Sequence, residues 1–542
     1  MPARKAVHSS RSPGIAASSG VGESCGLVGC MVDCFELVAA MARTRLLIRS
    51  AHDHFVASRK YLAGSMNDAL YLVCPLDGTR LRDCDGALKC DCGNVYPVIG
   101  GVAILVHGIR VVPRTDRLPP GVIDELLDAF AIPPSRRAAV EQVFSHEFLF
   151  AEDWIQTEAD QFLNRVAASH EGLRQALESA QAGSAASNGE CDAPLAQKSS
   201  LLNFIRRVFG FAERDVLPPP CSAEHRIGLS CIFNITKLRP KMCTSVNIRV
   251  ENSGKTTLCA TGPHPFRLSY HWIDAQGLRV EGRRTELLDD ILPERSLTLP
   301  LFFDTPKVIG RYRLSIRVVQ EGVRWFDHSS VEFDIEIGKG LATVDDPDWK
   351  KTCQSFDYTG DHFEGLRLVA EWRDTLFARP VEHVVELGGN ASPMIDFIAA
   401  PHKHNIDIDP YGMIMGNLTR EGSDSTVRFV VADGMALPMR ARSIDMLVLF
   451  ATLHHFPDPI GLLSRFSDFV ADDGLICLLC EPIGHVHLET LSSEYLKEIR
   501  RGVNEQSFQL WEYQQMFTGA NLNTIAAQNV VGSAKFALRP RR

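Results

Sequence analysis

Nowhere in the 542-residue chain do roughly 18 uncharged apolar residues run together, the length that a membrane-spanning helix needs. The N-terminus carries Arg4 and Lys5, but Glu23 and Asp33 interrupt what would have to be the apolar core of a secretory signal. Both absences point to the cytoplasm. A basic excess is also missing. With 57 Lys and Arg against 66 Asp and Glu, the formal net charge is -9, so the chain has no general means of neutralising nucleic-acid phosphates, and nucleic acid is a disfavoured partner. A disulfide framework is not indicated either. Cysteines such as Cys477 and Cys480 lie in apolar, strand-like runs and suit small buried hydrophobes in a reducing compartment.

A chain of this length is too long for one core and implies several domains. Residues 1–66 begin rich in Ser, Gly and Ala and are read as disordered. Residues 116–215 show helical spacing, with Val122, Leu126, Leu127 and Phe130 and then Phe150, Trp154, Phe162 and Val166, before a Ser/Ala-rich linker that starts near Gln181. Residues 222–340 change to a period of two, as in Val246, Ile248 and Val250 or Tyr312, Leu314, Ile316 and Val318, which indicates an antiparallel β-sandwich.

Residues 355–540 alternate short apolar runs with helix-length spacers, the pattern of βαβ units with a parallel sheet and a ligand edge at the carboxyl ends of its strands. Three acids end such runs: Glu386 before Gly388-Gly389-Asn390, Asp407, and Asp433 in Ala432-Asp433-Gly434-Met435. A glycine turn allows close backbone approach, and an acid about 20 residues further on can accept from ribose hydroxyls. Asp433 is placed to accept from an adenine amine. A fourth run, Met446 to Phe450, leads into Leu453-His454-His455-Phe456.

This succession resembles the class I S-adenosylmethionine-dependent methyltransferases, a multidomain fold class here: a C-terminal α/β Rossmann-like domain beside the central sandwich and a small N-terminal ribbon and helical region. The resemblance implies S-adenosylmethionine as cofactor, with Glu386, Gly388, Gly389 and Asp407 along its methionine and ribose parts and Asp433 and Met435 flanking its adenine. Asn390 and Ser392 stand where the family has its second and third glycines. A hydroxyl acceptor must lose a proton during transfer, and His454, His455, Glu481, His485 and His487 are the candidate proton acceptors near the same edge.

Within 67–115, Cys74-Pro75-Leu76-Asp77 and Cys90-Asp91-Cys92 give two short cysteine knuckles before a strand, the layout of a zinc ribbon. The segment resembles the ribbon modules that accompany many methyltransferases, whose usual form is Cys-Pro-x-Cys and then Cys-x-x-Cys. Cys74, Cys90 and Cys92, completed by Asp77 or Cys84, are the candidate metal ligands, while the altered knuckles favour a metal-free ribbon over zinc. The sandwich resembles immunoglobulin-like domains found beside sugar-modifying enzymes and in bacterial polysaccharide exporters. That implies a saccharide or saccharide-linked acceptor, such as a surface polysaccharide or its precursor, with Trp272 and Trp325 as sugar contacts or core residues. The competing readings are an RNA or small-molecule methyltransferase and a non-catalytic, glycan-binding pseudoenzyme.

Overall fold

The computed structural model describes residues 71–187 apart from 85, 116, 117, 120 and 152–158; residues 225–338 apart from 242; residues 358–483 apart from 421–424; and residues 499 and 504–542 apart from 531. The 1–66 segment, Trp154, His485, His487 and most of the linker lie outside these.

The frame is an 11-stranded sheet. Across it run Leu81–Cys84, Ala87–Cys90, Val95–Ile99, Val102–Ile104, Val427–Val431, His402–Asp407, His383–Leu387, Ile444–Phe450, Val470–Pro482, Ser533–Pro540 and Leu522–Val530. The six strands from Val102–Ile104 to Val470–Pro482 are parallel, and the closing hairpin turns antiparallel at Gly532. Parallel strands covered on both faces are buried along their length, and Ile444–Phe450 is buried at every position, its one charged residue, Asp445, meeting the Arg379 guanidinium at 2.6 Å.

The N-terminal ribbon is not a free-standing module. Its last strand, Val102–Ile104, pairs in parallel with Val427–Val431, aligning Ala103 with Val430 and Ile104 with Val431. An edge strand left open would expose unpaired N–H and C=O groups, and the ribbon covers that edge.

Two cores lie on opposite faces of the sheet, sorted by the period-two alternation of its strands. Val385, Leu447, Ile476 and Leu478 face one core, which continues through Phe508 and Trp511 into the sandwich interior at Phe233, Val246 and Leu301. Val384, Met446, Leu475 and Cys477 face the other, filled by the N-terminal helices through Val122, Leu126, Phe144 and Phe162. Tyr411, at the start of helix Pro410–Arg420, is enclosed there: its ring centroid lies 5.5 Å from that of Phe144, 5.2 Å from Phe148 and 6.0 Å from Phe162.

The 116–215 reading needs two changes. His146–Leu149 is a strand paired with Arg110–Pro113, and its Phe148 ring packs edge-on against Tyr411. Helix Glu171–Ser187 also runs through the first residues that composition marks as linker; Ala and Gln favour a helix as readily as a Ser-rich tail favours a coil.

In the sandwich, Cys243–Asn252 pairs with Arg295–Asp304 in one sheet, and Phe266–Asp274, Gly310–Gln320 and Arg324–Ile337 form the other. Trp272 is a core residue, its indole N–H donating to the Asp304 carbonyl at 2.8 Å, which removes it as a sugar contact. Trp325 is half-buried between His271 and the Arg284 guanidinium. Among the described residues no helix is long and apolar enough to cross a membrane.

Candidate active site

The strand order reverses between His402–Asp407 and Ile444–Phe450, on either side of His383–Leu387. A crevice opens at the carboxyl ends of strands at such a point. Gly388 enters it at φ +85°, and a Cβ there would lie 2.4 Å from the Thr452 hydroxyl oxygen. One on Gly389 would lie 2.5 Å from the Asn405 Oδ1. Space therefore demands both glycines.

Asn390 takes φ 40°, a left-handed conformation that asparagine tolerates better than other side chains. Its backbone N–H donates to Asp407 Oδ2 at 3.0 Å, its Nδ2 to Asp409 Oδ2 at 3.2 Å, and its carbonyl accepts from Asn405 Nδ2 at 2.6 Å. The family's missing glycine is thus replaced by a side chain that bonds the loop together.

The acids divide by task. Glu386 is buried and accepts from the Ile395 N–H at 2.8 Å, so it braces the far side of the turn; burial pushes its carboxyl up to about 7. Asp407 stands at the crevice, accepting from the N–H groups of Asn390 and, at 2.9 Å, of Asp409; burial and then the charge of Asp409 push it up to about 6. Asp433 accepts from the Met435 N–H at 2.8 Å and caps the short turn Gly434–Ala436, leaving Met435 half-buried beside it. All six residues assigned to the cofactor come from the ends of three neighbouring strands.

Asp409 was not legible as a site residue. Its Oδ1 accepts from the Tyr411 N–H at 3.0 Å, opening the helix, while its Oδ2 meets the Arg165 guanidinium at 2.5 Å. The N-terminal helices are thereby tied to the cofactor edge.

Beside Gly388, the 3-10 turn Leu453–His455 carries the paired histidines. Glu481 does not face an acceptor. Fully buried, it accepts from the N–H groups of Thr452 at 2.9 Å, Leu453 at 2.8 Å and His454 at 3.2 Å, and from His454 Nδ1 at 2.9 Å. It is a positioning residue for the turn. His454 is buried too, whereas the His455 side chain keeps 24 % of its surface.

Opposite both lies Glu505, which sequence reasoning missed. Its Oε1 is 3.4 Å from His454 Nε2 and its Oε2 is 3.2 Å from His455 Nδ1. Burial works against the charge of Glu505, but the two histidines outweigh it and hold the carboxyl below its ordinary range. Asn504 and Gln506 fasten the segment, donating to the His455 carbonyl at 3.1 Å and the Phe456 carbonyl at 3.0 Å.

Residues 361–527 match the family model of a methyltransferase domain. This segment is a methyltransferase domain. S-adenosylmethionine is its cofactor, and the glycine turn, Asp407 and Asp433 fit that group through the close approach and acceptors they offer. No curated protein matches the chain. Among solved structures, YcgJ of Bacillus subtilis is 18% identical over 31% of this chain and 73% of its own, with a TM-score of 0.26. The magnesium protoporphyrin IX methyltransferase of Synechocystis PCC 6803, solved with bound SAH, is 12% identical over 38% and 90%, with a TM-score of 0.28.

Away from the crevice of the methyltransferase domain, the ribbon gathers Cys74, Asp77, Cys90 and Cys92, with one donor atom of each within 4.8 Å of the others. Cys84 stays exposed and apart. Cys90 and Cys92 are joined as a disulfide, and Cys74 Sγ lies 3.7 Å from Cys92 Sγ. The Thr79 N–H and hydroxyl both donate to the exposed Asp77 carboxylate, which lowers its pKa. Three thiolates and a carboxylate would suit tetrahedral zinc, but only in the reduced form, since a disulfide occupies two of the four donors.

Proposed function

We propose that the chain is an S-adenosylmethionine-dependent O-methyltransferase acting in the cytoplasm on a saccharide hydroxyl of a bacterial surface polysaccharide or its precursor. When bound, the cofactor supplies an electrophilic methyl group. The residues of the chain then have three tasks: to hold the acceptor oxygen in line, to exclude water, and to favour loss of the hydroxyl proton. His454, His455 and Glu505, beside the turn that meets Gly388, are the groups suited to the last.

One observation carries the acceptor part of the reading. The segment that brings Glu505 to the histidines continues directly into the surface on which the sandwich sits. Ser507 accepts from Asn247 at 3.1 Å, Gln509 donates to the Thr244 hydroxyl at 3.2 Å, and Phe233 lies against Phe508 and Trp511. A sandwich seated there can present an acceptor to the rim, and its resemblance to domains of polysaccharide proteins supports a sugar.

The test uses the full chain with methyl-labelled S-adenosylmethionine and saccharide acceptors of graded length. Label in a base-stable ether is expected, with the Michaelis constant falling as the acceptor lengthens. Calorimetry that detects no cofactor binding, or label transferred only to amines or nucleic acid, would overturn the reading.

A further inference from the structure

The geometry around Glu505 has a second property. Ligand atoms about 2.0–2.1 Å from a tetrahedral zinc ion are separated from one another by about 3.3 Å. Charge-assisted N–H···O bonds are shorter, about 2.7–2.9 Å. The 3.4 Å from His454 Nε2 to Glu505 Oε1 and the 3.2 Å from His455 Nδ1 to Glu505 Oε2 are longer than such bonds and near the first spacing, one carboxylate oxygen facing each imidazole. One nitrogen of each imidazole and a carboxylate oxygen all lie within 4.8 Å of one another.

The surroundings agree. His454 is bonded through its other nitrogen, Nδ1, to Glu481 at 2.9 Å, and Glu481 is fixed by three backbone N–H groups. A carboxylate behind an imidazole fixes the ring's tautomer, leaves the far nitrogen as a lone-pair donor and raises its basicity, the usual outer partner of a metal-bound histidine. His455 remains partly exposed, so an external ligand can approach.

We propose that His454, His455 and Glu505 form a mononuclear zinc site whose open position takes the acceptor hydroxyl; the role of the hydroxyl rests on the methyl-transfer reading above. Two imidazoles and one carboxylate suit Zn2+ with a fourth, exchangeable position, whereas Mg2+ and Ca2+ prefer oxygen donors. Zinc lowers the pKa of a bound hydroxyl as it does that of water. The O–H bond breaks and its proton passes to solvent. The oxygen then forms the new bond to the methyl carbon, and the broken C–S bond leaves its electron pair on sulfur, so sulfonium becomes neutral thioether. The three side chains stay metal ligands throughout.

The ribbon sulfurs could also take up metal, so the test uses the full-length Cys90→Ser/Cys92→Ser chain. It is titrated with Co2+ under absorbance, then with Zn2+ against a chromophoric chelator, and S-adenosylmethionine binding is measured separately by calorimetry. We expect one equivalent of Co2+ with visible d–d bands, no thiolate charge-transfer band, and displacement by Zn2+. His455→Ala and Glu505→Gln should each weaken zinc by more than the roughly 10–100-fold that loss of an outer partner costs. Because Glu505→Gln could disturb the fold, the partly exposed His455→Ala is the second variant, and cofactor affinity retained in it shows that loss of zinc is not loss of the fold. Cofactor binding without uptake of either metal, or uptake unchanged in both variants, would overturn the zinc site and leave the methyltransferase reading standing. Metal uptake with no cofactor binding would support the site and sink the methyl-transfer role.

Discussion

At the scale of single residues, the cofactor turn depends on a few side chains whose removal has calculable effects. Asn390 holds a left-handed backbone and three bonds at once. Asn390→Ala keeps the strain of about 1–2 kcal/mol while losing the bond to Asp409 and should destabilise the chain, whereas Asn390→Gly loses the bond but relieves the strain. Thermal melts should therefore rank glycine near the parent and alanine below both; an alanine variant as stable as the parent would contradict this. Asp407 has a pH consequence. Its folded pKa, raised to about 6, means that its protonated form favours folding, a stabilisation full below the unfolded pKa and lost as pH rises through about 6. If the ribose hydroxyls of the cofactor donate to this carboxylate, binding runs the other way. S-adenosylmethionine affinity measured by calorimetry should fall as pH drops through about 6. Asp407→Ala should weaken binding by roughly 1.5–3 kcal/mol and flatten the pH dependence, and because it removes the acceptor of the Asn390 and Asp409 N–H groups it should lower the melting temperature as well.

Elements are held to one another by buried polar pairs as well as by apolar contact. His383 Nε2 and His404 Nδ1, on adjacent parallel strands, lie 2.9 Å apart at the end of the sheet away from the crevice. Burial holds His383 down to about 4, and burial followed by the neighbouring histidines holds His404 well below its ordinary value. A depressed folded pKa means that the unfolded chain takes up protons first. The stability from this pair is thus full above about pH 6.5 and is lost as pH falls toward about 4. Denaturant titrations across that window should show a shallower acid limb for His404→Gln than for the parent, and identical limbs would exclude the pair as a source. The contact between sandwich and methyltransferase domain is apolar at its centre. Trp511→Ala should cost about 3–5 kcal/mol, since its ring fills the space beside Phe233. If the sandwich presents the acceptor, the same variant raises the Michaelis constant for long acceptors more than for short ones.

For the whole molecule, the central expectation concerns where a catalytic unit can be cut. A fragment beginning near residue 357 would lose the strand that covers the edge at Val427–Val431 and the rings of Phe144, Phe148 and Phe162 around Tyr411. Each buried aromatic contributes about 1.5–3 kcal/mol, so the loss approaches the roughly 5–15 kcal/mol by which a domain is stable at all. Such a fragment should aggregate or melt far below the full chain. A soluble fragment with an unchanged melting temperature would show that the N-terminal region is only an attachment.

Local order was legible in the sequence because local physics determines it. The period-two alternation of Val246, Ile248 and Val250, the apolar run from Met446 to Phe450, and the Glu386-to-Asp407 spacing each reflect one strand or one turn, and each is visible within a few residues. What stayed hidden depends on residues far apart in the chain. Arg165 meets Asp409 across 244 positions, the ribbon strand meets Val427–Val431 more than three hundred residues later, and Glu505 has nothing beside it in sequence that distinguishes it from an ordinary surface acid. Glu481 looked like a free acid at a strand end. Only the fold, by placing three N–H groups and an imidazole around it, made it the support of a turn. The sequence by itself determined the strands of the sandwich and of the parallel sheet, though not His146–Leu149, and also where the backbone must turn without a side chain and which acids end the strands, because those follow from periodicity and steric limits. The tertiary structure decided which charges are neutralised, which histidine faces outward and which domains share a core, because burial and pairing arise only when distant segments exclude water together.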